Sequence, residues 1–188
     1  MKSDISTLLV LAKEGSDEAR QSLFSELHNH MRAKAKSLMS DERANHTLQA
    51  TALINEACVK LLREGVVDSA ENRRQLFHAA IRAMRQVLID HARARDAQKR
   101  GGSQLKRQPM DFVLEHFEET HDMPFLDLEN ALQRLQQESP RQHEALTFRF
   151  FGGLSIGETA KLLECSVSTV ESDWRLARAK LTMWLSAG

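Results

Sequence analysis

Tyrosine is absent from this 188-residue chain, and aromatic residues make up only 5% of it. Side chains on which a flat group could stack are therefore scarce. Proline occurs three times and glycine eight times. So few breakers leave long periodic segments uninterrupted, and the expected fold is almost wholly α-helical. The two cysteines, Cys58 and Cys165, are far apart, each in an apolar helical pattern. They form neither a disulfide framework nor a paired metal motif, and they read as buried thiols of a cytosolic protein. An excess of one charge is also missing: 26 Lys and Arg balance 26 Asp and Glu. A polyanion would have to be held by local charge rather than by the net field.

Other absences narrow the function. No apolar run approaches the roughly 20 residues that span a bilayer, so no membrane role is expected. No signal peptide is expected either, because Lys2, Asp4 and Lys13 flank too short an apolar run. No glycine-rich loop could cradle a phosphate. His28-Asn29-His30 lies mid-helix without metal-ligand partners, and His46, His78, His91 and His143 are scattered. No set of residues suits nucleophilic or acid–base chemistry, so neither an enzyme nor a cofactor is expected.

What the chain does have is charge separated along its length. Arg73, Arg74, Arg82, Arg85, Arg93, Arg95, Lys99, Arg100, Lys106 and Arg107 are opposed only by Asp90 and Asp96. The stretch that follows is acidic, with Asp111, Glu115, Glu118, Glu119 and Asp122. Apolar periodicity predicts a short helix ending near Gly15, then one capped by Ser16 with Ala19, Leu23, Leu27, Met31, Ala35 and Leu38 inward. A third helix is predicted from about Leu48 to Glu64, with Leu53, Ile54, Ala57, Leu61 and Leu62 inward. The fourth, from about Asn72 to Lys99, puts Phe77, Ala80, Ile81, Met84, Leu88 and His91 on one face. Arg82, Gln86 and Arg93 fall opposite, with Arg85 at the flank. Ile89 stands among these arginines, where solvent gives it no reason to be.

Gly101-Gly102-Ser103 breaks the pattern, and residues 101–124 read as a flexible linker with one weak turn around Phe112–Phe117. A second unit, 125–188, begins with a helix built on Leu128, Leu132 and Leu135. Ser139 and Pro140 are set to start the next, which carries Ala145, Leu146 and Phe148–Phe151 and stops at Gly152-Gly153. Ser155 and Glu158 form a capping box. After a tight turn, Ser166 or Ser168 opens a last helix with Val167, Val170, Trp174, Ala177 and Leu181 inward. Two helices joined this way, the second carrying outward arginines, suit a helix-turn-helix.

Three segments resemble one family in order and spacing. LSIGETAKLLECSVSTVESDWRLARAKL, LFHAAIRAMRQVLIDHARARDAQKRGG and HTLQATALINEACVKLL resemble the C-terminal domain, the promoter-melting helix and the polymerase-docking helix of extracytoplasmic-function (ECF) sigma factors, within the bacterial sigma-70 family. The resemblance covers nearly the whole chain. It implies two small helical domains: residues 1–100 dock on core RNA polymerase and open the minus-ten element, and residues 125–188 read the minus-thirty-five element as duplex.

By that resemblance, Ser168, Thr169, Ser172, Arg175, Arg178 and Lys180 would contact the duplex, and Arg82, Arg85, Gln86 and Arg93 would track the parted strand. A base pocket is expected near Asn72 to Phe77 or the loop before it. Glu171 and Asp173 stand where the family carries basic residues, and Glu164 where it favours glycine. Leu53, Asn55, Glu56 and Lys60 would meet the polymerase. The acids usual at the start of the docking helix are replaced by Gln49, Ala50, Thr51 and Ala52. A subgroup docking through apolar contact is one explanation. The other is a Ser/Thr protein kinase placing phosphate on Thr51, near a helix N-terminus. A regulator that binds its operator without polymerase remains the alternative function. The acidic linker is also expected to lie on the arginine helix.

Overall fold

In a computed structural model, which describes residues 4–38, 44–101, 118–119 and 123–186, the regular elements are nine α-helices with no strand among the described residues. Five form a first group: α1 (Ile5–Lys13), α2 (Asp17–Leu38), α3 (Ala44–Arg63), α4 (Val66–Ser69) and α5 (Arg73–Gly101). The apolar stripes expected of them converge. Leu9, Leu23, Leu27, Ile54, Ala57, Leu61, Phe77, Ala80, Ile81 and Met84 are all buried. Ser16 caps α2 by accepting from the Ala19 amide at 3.2 Å. Gly65, at φ 59°, takes the left-handed turn after α3 that a side chain would resist.

Helix α4 was not expected from the sequence. Its four residues are too few for a helical period, but Val66 and Val67 are buried and Arg20 of α2 holds Asp68 at 2.7 Å. Two inward assignments fail outright. Leu62 is 55% exposed and Val167 50% exposed, because each lies at the edge of its helix stripe. Cys58 and Cys165 are free but only half-buried, for the same reason. Partial burial pushes the Cys58 thiol up from its ordinary value.

The second group is α6 (Phe125–Glu138), α7 (Pro140–Phe150), α8 (Ile156–Leu163) and α9 (Val167–Ser186). Phe125, Leu132, Leu135, Phe148, Phe151 and Ala177 close its centre. Each such phenylalanine contributes about 2–3 kcal/mol by leaving water. Ser139 precedes α7 but makes no side-chain cap; its hydroxyl instead accepts from Lys180 Nζ at 2.8 Å.

The two groups meet directly. Helix α5 packs against α6, α7 and α8, and the buried apolar residues of both groups form one continuous cluster. Ile89, 6% exposed, lines the cleft between α5 and the α6–α7 pair. Its place among the arginines is thereby explained. Of the acidic stretch, Glu118 pairs with Arg95 of α5. The turn expected at 112–117 lies outside the described residues.

Candidate nucleic-acid interface

Helix α8 starts at a complete capping box. Ser155 Oγ accepts from the Glu158 amide at 3.2 Å, and Glu158 Oε2 accepts from the Ser155 amide at 2.8 Å. The Ser155 hydroxyl donates to the same carboxylate, and these bonds hold the Glu158 pKa below its ordinary value. The chain then turns through Glu164, which sits at φ 54° and is the non-glycine residue with positive φ among the described residues. Ser166 caps α9 by accepting from the Thr169 amide at 3.1 Å. Its hydroxyl also lies 2.9 Å from Ser168 Oγ and 2.7 Å from Thr169 Oγ1.

Along α9, Ser168, Arg175 and Arg178 are exposed, while Thr169 and Ser172 are half-buried. The Arg178 guanidinium lies 5.8 Å from the Trp174 ring centre. Glu171 is exposed, but Asp173 is 3% exposed and accepts from Arg141 Nε of α7 at 2.6 Å. Asp173 is thus turned inward onto α7 and not towards a phosphate. Lys180 is tied to Ser139 and lies 4.0 Å from Glu138.

On α5 the four candidate side chains divide. Arg82 is 75% exposed, 3.9 Å from Glu64, and Arg93 is exposed. Gln86 donates to Asp90 at 2.7 Å. Arg85 is only 12% exposed and is enclosed by the second group. Its Nη2 donates to Glu129 Oε1 at 2.7 Å and its Nε to Glu129 Oε2 at 3.1 Å, in a two-pronged fork. Its Nη1 stands 3.4 Å from His143 Nε2. Arginine offers only donors, so that histidine nitrogen must be the acceptor and the ring neutral. Burial, then Arg85, then His78 lower the His143 pKa to about 4, which agrees. The Arg85 guanidinium also lies 5.5 Å from the Phe151 ring centre.

A second acid, Glu144 of α7, accepts from Arg74 and from His78 Nε2, the latter at 2.9 Å. Burial raises its pKa, but these two partners outweigh it and the net shift is downward. Arg74, His78, Arg82 and Glu144 share a cavity of about 510 Å³ with Ser69, Asn72 and Gln75, beside the turn between α4 and α5.

On α3, Asn55 and Glu56 are exposed, Lys60 is half-buried, and Leu53 is in the core at 3% exposed. Leu53 therefore offers no surface to a partner. Val59 and Leu62 supply exposed apolar contact instead, at 46% and 55%. His91 of α5 holds Glu56 at 3.2 Å. Thr51 is half-buried. Helix α3 begins at Ala44, so Thr51 is two turns in rather than near the N-terminus, and the helix dipole no longer favours an anion there.

A family model described as ECF sigma factor matches residues 2–187. The chain belongs to the ECF sigma factor family. Such factors initiate transcription together with core RNA polymerase and promoter DNA. No curated protein matches the chain. Among the described residues no helix of this sigma factor is long and apolar enough to cross a membrane, and no cluster of His, Cys, Asp and Glu could hold a metal ion.

Sequence reasoning missed Glu129, His143 and Glu144 of this ECF sigma factor. Glu129 adjoins Leu128 on the inward stripe of α6, where a lone carboxylate is costly without a partner. That register was the available signal. His143 and Thr147 stand four residues apart on α7, both buried, with Thr147 Oγ1 3.3 Å from His143 Nε2.

Proposed function

We propose that this chain is an alternative sigma factor working as two helical domains, 1–100 and 125–188, either side of a linker at 101–124. Helix α3 docks on core RNA polymerase through Asn55, Glu56 and the adjoining exposed Val59 and Leu62. Helix α5 tracks the parted minus-ten strand with Arg82, Arg85, Gln86 and Arg93. Helices α8 and α9 form a helix-turn-helix whose Ser168, Thr169, Ser172, Arg175 and Arg178 read duplex at the minus-thirty-five element. The observation that carries this is the placing of two basic helix faces, α5 and α9, in a chain matched to the family from residue 2 to residue 187.

The cavity beside the α4–α5 turn supports a base-capture role. Ser69, Asn72, Gln75 and Arg82 offer polar groups for the edge of a flipped base. No phenylalanine, tryptophan or tyrosine lines the cavity, so hydrogen bonding, with the His78 ring beside it, holds the base there. Unstacking a base costs a few kcal/mol, which polymerase binding supplies. The test is capture of the chain by core polymerase, followed by transcription from a promoter library. Tight capture with promoter-dependent transcripts is expected; operator binding by a free dimer with no capture would overturn the reading.

Regulation by a Ser/Thr kinase at Thr51 rests on charge alone. A phosphate on Thr51, two turns into α3, adds nearly two negative charges to a segment that lacks the acids usual there. Thr51→Glu is expected to bind core polymerase more tightly than unmodified wild type or Thr51→Ala, and equal affinity of all three would end the idea.

A further inference from the structure

We infer that in the free chain Glu129 and Glu144 of the second helix group occupy Arg85 and the base cavity on α5, part of the ground that the promoter strand takes, so that the factor is closed there until it opens. This rests on the reading of α5 given above. Three carboxylates on three different helices meet basic residues of the first helix group, on α5 and, for His30, on α2. Glu129 of α6 forks onto Arg85. Glu144 of α7 bonds Arg74 and His78. Glu158, at the start of α8, faces His30 and Arg73 electrostatically. A carboxylate and a phosphodiester present the same paired acceptors to a guanidinium, so one excludes the other. Glu144 also lines the cavity that would receive a base.

The contact is built as an interface rather than a chance touch. Ile89 of α5 is buried with Glu129 and His143, and Arg85 beside them is 12% exposed. Gly152, in the turn after α7, lies so close to α5 that a Cβ there would stand 2.9 Å from Ile81 Cδ1. It remains releasable, because a buried ion pair gains little over the same two ions in water. Arg175 and Arg178 of α9 and Asn55 and Glu56 of α3 stay exposed in this state. The closed chain can therefore still meet polymerase and duplex, and Arg82 and Arg93 stay exposed, while Arg85 and the base cavity are withheld. Docking comes first and opening of the chain comes with it.

The test uses the full chain without polymerase. Its radius of gyration is measured by small-angle scattering, and its affinity for a fluorescent forked duplex with a single-stranded arm by anisotropy. Glu129→Gln combined with Glu144→Gln is expected to expand the chain. If the open form is about a tenth of the wild-type population or less, the variant gains about tenfold or more in affinity for the arm. The charge swap Arg85→Glu with Glu129→Arg is expected to stay compact, which separates loss of the clasp from loss of the fold. An unexpanded double variant overturns the proposal, and so does an expanded one that binds the arm no better. Open-complex formation by reconstituted holoenzyme carrying Arg82→Ala and Arg93→Ala tells the two readings apart. If that variant is defective and the free double variant gains nothing, only the clasp fails. If that variant opens promoters normally, the assignment of α5 itself fails.

Discussion

His143 stays neutral because its surroundings leave it no choice. It is 3% exposed, and its Nε2 faces Arg85 and Thr147. Its folded pKa of about 4 lies below the value of about 6.5 expected unfolded. As pH falls through that window, the unfolded chain takes up the proton first. Stability is therefore complete above about pH 6.5 and declines towards pH 4. His30, lowered chiefly by its own burial, acts in the same direction. Thermal melts at pH 7.5 and 4.5 are expected to show a loss of about 1–3 kcal/mol from His143, and His143→Gln should flatten that part of the profile. Glu144 and Glu158, both held below the ordinary carboxylate range, take over only at lower pH. Glu164 poses a backbone question instead. A left-handed φ of 54° costs a side chain about 1–2 kcal/mol, partly offset by the entropy glycine would lose. Glu164→Gly is expected to raise stability by about 0.5–1 kcal/mol, read by denaturant titration, with the α8–α9 turn unchanged.

At the scale of elements, the α8 cap has the clearest consequence. Ser155→Ala removes both the acceptor for the Glu158 amide and the hydroxyl held by the Glu158 carboxylate. A loss of about 1 kcal/mol is expected. Affinity for minus-thirty-five duplex should fall with it, since α8 braces α9. The long helices were legible because their 3.6-residue stripe repeats many times: Leu23 and Leu27 in α2, Phe77 to Leu88 in α5. Helix α4 was not, since four residues carry no period. The ends of stripes misled for a related reason. Leu62 and Val167 fit the spacing but lie at its margin, where neighbours decide burial. The start of α3 was set too late, and with it the electrostatics claimed for Thr51. Of the interface residues, arginine placement on α5 and α9 was readable from helical angle. The partner of each was not, because Asp173 finds Arg141 and Arg85 finds Glu129 across helices that sequence spacing does not relate.

For the whole molecule, zero net charge conceals a strong internal dipole of surfaces. In the proposed clasp, the basic residues of α5 and the carboxylates of Glu129 and Glu144 cancel when closed and reappear when apart. Raising salt from about 0.1 M to about 1 M shortens the screening length from about 10 Å to about 3 Å. The exposed Arg74–Glu144 pair is the first to weaken, being 43% and 18% exposed, with Arg85–Glu129 following as water enters. The radius of gyration of the free chain is expected to grow over this range, and a value indifferent to salt would count against an electrostatic closure.

The fork between Arg85 and Glu129 also constrains how such a factor can drift. In the proposed clasp, Arg85 lends one guanidinium to both silence and promoter opening. A change there alters background expression and peak expression together. Glu129 serves silence alone. Replacing it raises leakage while sparing the reader, so at this pair the two traits separate only through the acid.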